Sequence, residues 1–449
     1  MATLHAKQAL LTDGWAKDVR LTLKGRSISA IEQDVEAQSG DERHEIVLPT
    51  MANLHSHAFQ RGMAGLAELR GPANDSFWSW RTVMYRFALT MNPEQMQAIA
   101  AQLYVEMLEA GFGRVGEFHY LHHDRDGSAF ANRAEMAERI VAACDETGMG
   151  LTVLPVFYAH SGFGGQAPNE GQRRFIHDLD GFAALLDAAK KAASHLPGAI
   201  TGIAPHSLRA VTPEELSALQ QLTFDGPIHI HVAEQVKEVD DCVAWSGKRP
   251  VAWLLDNAAL SSRWCLIHAT HMTEDETLRM AKSGAIAGLC PITEANLGDG
   301  TFNAEVFLNA GGRFGIGSDS NILIGIADEL RQLEYSQRLA HRARNVMAHP
   351  GGSTGRYVFD GAVAGGAAAL MAESGLAVGK PADVVSLTPR HDIGLEGDQV
   401  LDSFLFANGA VVDCVWVGGR KQVQAGRHMA RERVAARFAG VMRDLMAAF

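Results

Sequence analysis

At 449 residues, with a formal charge of -12, 47% apolar and 20% charged residues, the chain has the balance of a packed globular protein with a large core. The negative balance excludes broad electrostatic attraction to nucleic acid or to an anionic membrane surface and points to a small substrate, and an anionic one would demand specific pocket arginines. Cys144, Cys242, Cys265, Cys290 and Cys414 are scattered without a C-x-x-C pair, so neither a disulfide framework nor a cysteine zinc site is indicated.

The opening stretch MATLHAKQALLTDGW lacks a basic region followed by an apolar run, and no run of about 18 apolar residues occurs. A cytoplasmic protein is the expectation. Residues 1–50 alternate short apolar runs with Gly, Asp and Lys turns, the pattern of short antiparallel strands. The same texture returns at 381–389, 409–420 and 421–427. We therefore expect 1–50 and 375–430 to pair as one small β domain, followed by a C-terminal helix over 431–449.

Between the ends, strands and helices alternate. The predicted strands are 46–57, 114–120, 151–158, 201–206, 227–232, 264–269, 285–290 and 313–318. Helical apolar spacing falls between them at 93–111, 131–148, 180–195, 213–222 and 273–284. Eight strand-then-helix units predict an α/β fold, a (β/α)8 TIM-type barrel over 51–374. The Gly-rich 161–175 stretch is expected as a long loop after the third strand; it lacks the G-x-x-x-x-G-K-[ST] phosphate pattern.

In such a barrel, the C-terminal ends of all the strands share one rim. His55 and His57 close the first predicted strand, and side chains two apart point to one side, so both can chelate one ion. H-x-H is weak evidence alone, because His229 and His231 form a second such pair. On the fifth strand either histidine can face inward, and His231 is preferred as the nearer to the rim. Asp319, in GIGSDSN, follows the eighth strand. His55, His57, His231 and Asp319 make a three-nitrogen, one-oxygen set suited to one divalent ion, Zn2+ or Fe2+, with a position open to water. No lysine ends the fourth strand to bridge a second ion. Glu234 sits three residues past His231, placed to shuttle a proton, and His268 on the sixth strand is an acid-base candidate with His271 as fallback.

H-x-H on strand 1, H-x-x-E on strand 5, His on strand 6 and S-D-S on strand 8 resemble the amidohydrolase superfamily over nearly the whole chain. NLHSHAFQRGMAGL and LCPITEANLGDG are more specific and are similar to the formimidoylglutamate deiminase family. The resemblance implies a β-sandwich built from the terminal segments, a homodimer, and hydrolysis of N-formimino-L-glutamate to N-formyl-L-glutamate and ammonia in histidine degradation. It implies Gln60, Tyr120 and His206 as polar substrate contacts. It also places Arg81, in the loop after strand 1, and Arg209, after strand 4, as grips on the two carboxylates, with Arg61 and Arg86 as alternatives. Trp78 and Trp80 would help close that loop. In this scheme His268 and Asp319 deprotonate water while Glu234 protonates the imino nitrogen. A deaminase of a neutral heterocycle such as guanine or cytosine, and a noncatalytic binding barrel, are the competing expectations.

Overall fold

The computed structural model describes the chain except residues 71–75, 223 and 449. The N-terminal residues form β1 (Ala2–Leu11), β2 (Gly14–Lys24), whose Val19–Leu23 alternate buried and half-buried positions, β3 (Ser27–Glu32) and β4 (Glu42–Pro49). These join the late strands β14 (Val384–Pro389), β15 (Ala410–Val417), β16 (Arg420–Gln424) and β17 (Arg427–His428). All eight lie in one mixed sheet of order β17-β16-β15-β14-β4-β1-β2-β3. A bridge between Ser27 and Pro381 brings β3 back to the residues entering β14, so the sheet curls around its own core of Leu4, Val19, Leu21, Val47, Val384 and Trp416.

The intervening strands are buried almost throughout, as expected where helices cover them. β5 (Met51–Ser56), β6 (Phe112–His119), β7 (Gly150–Phe157) and β8 (Ile200–Thr201) form one parallel arc, with β9 (Ala204–Pro205) also on β7. β10 (Ile228–Val232), β11 (Trp264–His268), β12 (Ile286–Leu289) and β13 (Arg313–Ile316) form the other. Parallel bridges Ile203–Ile228 and Ser207–His231 join the arcs on one side, and Ser56–Asp319 joins them on the other.

Two expected strands divide. The 46–57 run splits at Thr50 because its first part pairs with β14 in the terminal sheet and its second with β6. The 201–206 run splits at Gly202, where a Cβ would lie 2.3 Å from the Pro227 carbonyl oxygen.

Helices fill the connections. Pro93–Glu109 begins in a capping box of Asn92 with Gln95, and Glu135–Thr147 ends at Gly148 in the left-handed region. Leu179–Ala193, Pro213–Gln220 and Glu274–Ser283 match the other expected helices, and Arg431–Ala448 is the C-terminal one. The 161–175 stretch is irregular apart from a 3-10 turn at Glu170–Gln172. No helix among the described residues is long and apolar enough to cross a membrane.

One expectation is corrected. Arg81, Trp78 and Trp80 lie on a helix, Phe77–Ala88, and not on a loop. Ser76 caps it through a box with Ser79, and Phe77, Met84, Phe87 and Ala88 bury one face, a helical spacing hidden in SFWSWRTVMYRFA.

Candidate active site

Because the strands of both arcs are parallel, their C-terminal ends meet on one rim, and the chemically rich residues collect there. Ligand atoms of His55, His57, His231 and Asp319 lie within 4.8 Å of one another, all buried. Asp319 Oδ1 is 3.3 Å from His55 Nε2 and 3.1 Å from His57 Nε2, and His231 Nε2 is 3.1 Å from His55 Nε2. The second nitrogens of two rings are committed: His57 Nδ1 donates to the Phe118 carbonyl at 2.9 Å and His231 Nδ1 to the His206 carbonyl at 3.0 Å. Both rings are thereby held with Nε2 facing the cluster.

Burial pushes His55 down to about 3 and takes His231 well below its ordinary range, so these rings are neutral, the form that ligates metal. Burial opposes the Asp319 charge, but His55 and His57 outweigh it and hold the carboxylate well below its usual range. Three imidazole rings and a carboxylate bring their ligand atoms to one buried point. The donor set fits a divalent ion. His229, by contrast, donates Nε2 to the Ala369 carbonyl at 2.8 Å, away from this cluster.

Left-handed residues shape the rim: Ala233, with φ 51°, directly follows β10, His268, with φ 67°, ends β11, and Asp319, with φ 45°, lies in the loop after β13. Such conformations cost about 1–3 kcal/mol each and persist where surrounding contacts over-determine them. At Asp319 the contacts are visible. Asn53 Nδ2 donates to Ser318 Oγ at 2.6 Å, and Asn321 Nδ2 donates to the His57 carbonyl at 3.0 Å.

Over the cluster lies a cavity lined by Gln60, Tyr120, His206, Arg209, Glu234 and His268 among others. Glu234 Oε1 and Asp319 Oδ2 are each 3.7 Å from His268 Nε2. Burial pushes Glu234 up to about 7, which suits a group that both gives and takes protons near neutrality. Burial opposes charge on His268, but Glu234, Glu294 and Asp319 together push it up to about 10.

Gln60 Nε2 donates to the Tyr120 hydroxyl at 2.9 Å, and His206 Nδ1 shares a hydrogen bond of 3.1 Å with Ser207 Oγ. Arg209 is buried with its Nε unpartnered, and Arg81 reaches the same cavity from the Phe77–Ala88 helix. Both guanidinium groups lie against Trp78, at 4.5 Å for Arg81 and 5.7 Å for Arg209. Trp80 lines the cavity. Arg61 is engaged elsewhere, pairing with Glu106 at 2.7 Å and donating to the Asn321 carbonyl, and His271 donates to the Asp299 carbonyl. Arg86 is exposed on its helix and does not line the cavity.

Sequence reasoning passed over Tyr85, Tyr158 and Gln172, whose hydroxyl and amide groups meet at the cavity wall, with Gln172 Nε2 donating to Tyr158 at 2.7 Å. Tyr158 carried a usable signal, since it ends the third predicted strand as Tyr120 ends the second. Tyr85 and Gln172 carried none.

Comparison with known proteins bears on this site. Residues 46–421 match the model of the amidohydrolase family, and residues 1–45 match that of the formimidoylglutamate deiminase HutF N-terminal domain. A formimidoylglutamate deiminase of Pseudomonas aeruginosa is 49% identical over 99% of this chain and 100% of its own. An 8-oxoguanine deaminase of the same organism is 25% identical over 87% and 85%. Among solved structures, an amidohydrolase from Brucella melitensis superposes with a TM-score of 0.98 at 63% identity, covering 99% of this chain and 100% of that one. A zinc-bound adenosine deaminase from Xanthomonas campestris shares the fold, with a TM-score of 0.82 at 20% identity over 99% and 98%. With a family model spanning most of its length and a full-length relative near half identity, this chain belongs to the amidohydrolase family, in its formimidoylglutamate deiminase branch.

Proposed function

We propose that the chain hydrolyses N-formimino-L-glutamate to N-formyl-L-glutamate and ammonia. The observation that carries this reading is the pairing, in one cavity, of a three-histidine, one-aspartate donor set with two arginines. A dicarboxylate needs two cationic grips, and a neutral heterocycle needs neither. The 49% identity to the Pseudomonas enzyme supports the same substrate.

His55, His57, His231 and Asp319 would hold one ion, for which zinc is our choice on the nitrogen-rich donor set. Such an ion supplies Lewis-acid chemistry, making water nucleophilic at neutral pH. Arg81 and Arg209 hold the two carboxylates, while Gln60, Tyr120 and His206 orient the formimino end. His268 orients the attacking water and Asp319 accepts its proton as the water oxygen bonds to the formimino carbon. Glu234 delivers a proton to the terminal imino nitrogen. The proton taken from the water then passes to that nitrogen, the hydroxyl proton returns to Glu234, the carbon–nitrogen bond breaks, ammonia leaves, and the formyl carbonyl remains.

This chemistry sits, in our reading, on a closed (β/α)8 barrel over 51–374, flanked by a β-sandwich of 1–50 and 375–430, with 431–449 as a terminal helix. The bridges joining the two arcs support closure. With the activity we also propose a place in histidine degradation, in the cytoplasm and as a homodimer. Sedimentation of the purified protein and growth of a deletion strain on histidine check these.

The deciding assay is ammonia release from N-formimino-L-glutamate, guanine and cytosine in parallel, with metal content measured on the same sample. Release from the formimino compound alone is expected, and activity confined to a nucleobase would overturn the assignment.

A further inference from the structure

The stretch LCPITEANLGDG contributes a buried carboxylate, Glu294, that the reaction scheme above does not use. Its Oε1 accepts from His268 Nδ1 at 3.2 Å and from the Cys290 backbone amide at 2.9 Å. Cys290 caps the Pro291–Leu297 helix on which Glu294 sits, so the acceptor is itself fixed by the helix that carries it. The Cys290 thiol lies within reach of both side chains, but burial and the carboxylates of Asp319 and Glu294 raise it well above its usual range. A protonated thiol is a poor metal ligand, and the trio is a hydrogen-bonded support.

His268 needs that support. It and Ala269 are consecutive left-handed residues, with φ 67° and 48°, a backbone that turns the ring off the strand axis. With Nδ1 donating to a buried carboxylate, the ring cannot flip without losing that bond in a buried setting. Glu294 therefore commits the Nδ1 proton, leaving Nε2 as the atom that faces Glu234 and Asp319, at 3.7 Å from each.

We propose that Glu294 is a positioning residue that anchors the Nδ1 proton of His268 and fixes the orientation of its ring, so that its Nε2 is the working atom in the cavity. This rests on the hydrolytic reading above. Carboxylates that orient a site histidine in this way are worth about 10- to 100-fold in activity.

Two variants test it, Glu294→Ala and Glu294→Gln, compared in zinc-loaded protein. The expected result for Glu294→Ala is a kcat lower by about 10- to 100-fold with KM and zinc content essentially unchanged. Glu294→Gln keeps an acceptor oxygen for both donors and should fall between it and the parent, which also guards against a folding failure. A nitrogen-15 histidine spectrum should show the His268 Nδ1 proton signal in the parent and its loss in Glu294→Ala. An undiminished kcat, or a loss tracking zinc content alone, overturns the proposal. If the parent is itself inactive on the formimino substrate, the functional reading fails, and the spectrum still decides: an unchanged His268 signal in Glu294→Ala overturns the positioning role.

Discussion

The Asp319 backbone amide donates to the His55 carbonyl at 3.0 Å, and the His57 amide returns a bond to the Asp319 carbonyl at 3.1 Å. Two hydrogen bonds thus set the carboxylate against both histidines before any side chain is considered. Gly317 permits the approach. A Cβ there would lie 2.7 Å from His55 Cβ and 2.8 Å from the His55 nitrogen and oxygen. Gly317→Ala is expected to destabilise the protein by about 1–3 kcal/mol, the usual overpacking cost, and to lower its zinc content. Thermal unfolding and metal analysis on one preparation check both.

Glu234 is buried beside His268 but is not among the four converging donors. Glu234→Gln should retain zinc and lose about 10²- to 10⁴-fold in turnover, the typical contribution of a positioned acid-base group. Normal turnover in this variant would remove Glu234 from the reaction.

Arg209 is buried and Arg81 half-buried, both against Trp78. Replacing either with Met should weaken substrate capture by about 2–5 kcal/mol, read as lower kcat/KM through KM. An unchanged kcat/KM for N-formimino-L-glutamate would assign the carboxylates to other groups.

Arg174 is fully buried and donates to the Ala88, Met91 and His123 carbonyls at 2.6, 2.8 and 2.8 Å. It ties the 161–175 loop to the end of the Phe77–Ala88 helix that brings Arg81 to the cavity. Arg174→Met leaves buried carbonyls unsatisfied at about 1–3 kcal/mol each. Faster hydrogen exchange across residues 77–88 is the expected signature, with KM rising before kcat falls.

His119 packs edge to face on His122 and His177 packs tilted against His122 beyond the cavity, with ring centroids 5.3 and 5.0 Å apart in succession. Burial pushes His119 and His177 down to about 3 and His122 well below its ordinary range. Between pH 6.5 and 3 the unfolded chain therefore binds protons that the folded one refuses, so stability is full above 6.5 and falls on acidification. Each such histidine contributes a slope of about 1.4 kcal/mol per pH unit at most. His119→Phe should flatten the acid limb of the stability curve, measured by urea unfolding from pH 7 to 4. An unaltered slope would mean that His119 does not titrate there.

The ligand set was legible because its signals are local. Period-two spacing pairs His55 with His57, and strand order lets His231 and Asp319 be assigned to the same rim. Tyr120, His206 and Arg209 were legible for the same reason, each lying at or just past a strand end. Arg81 was legible as a residue but not as a helical one, because the apolar spacing that buries Phe77, Met84 and Phe87 is interrupted by the tryptophans facing the cavity.

What the chain by itself determined is the alternation of strands and helices, the choice of the four converging donor side chains and their order, since these follow from periodicity within a few residues. What only the tertiary structure decided is which distant groups meet. The partnership of Glu294 with His268, the meeting of Gln172 with Tyr85 and Tyr158, and the distance between Asp319 and His55 span long stretches of chain. No spacing rule reaches that far, because such contacts are set by how parallel strands stack and where helices return, not by local backbone preference.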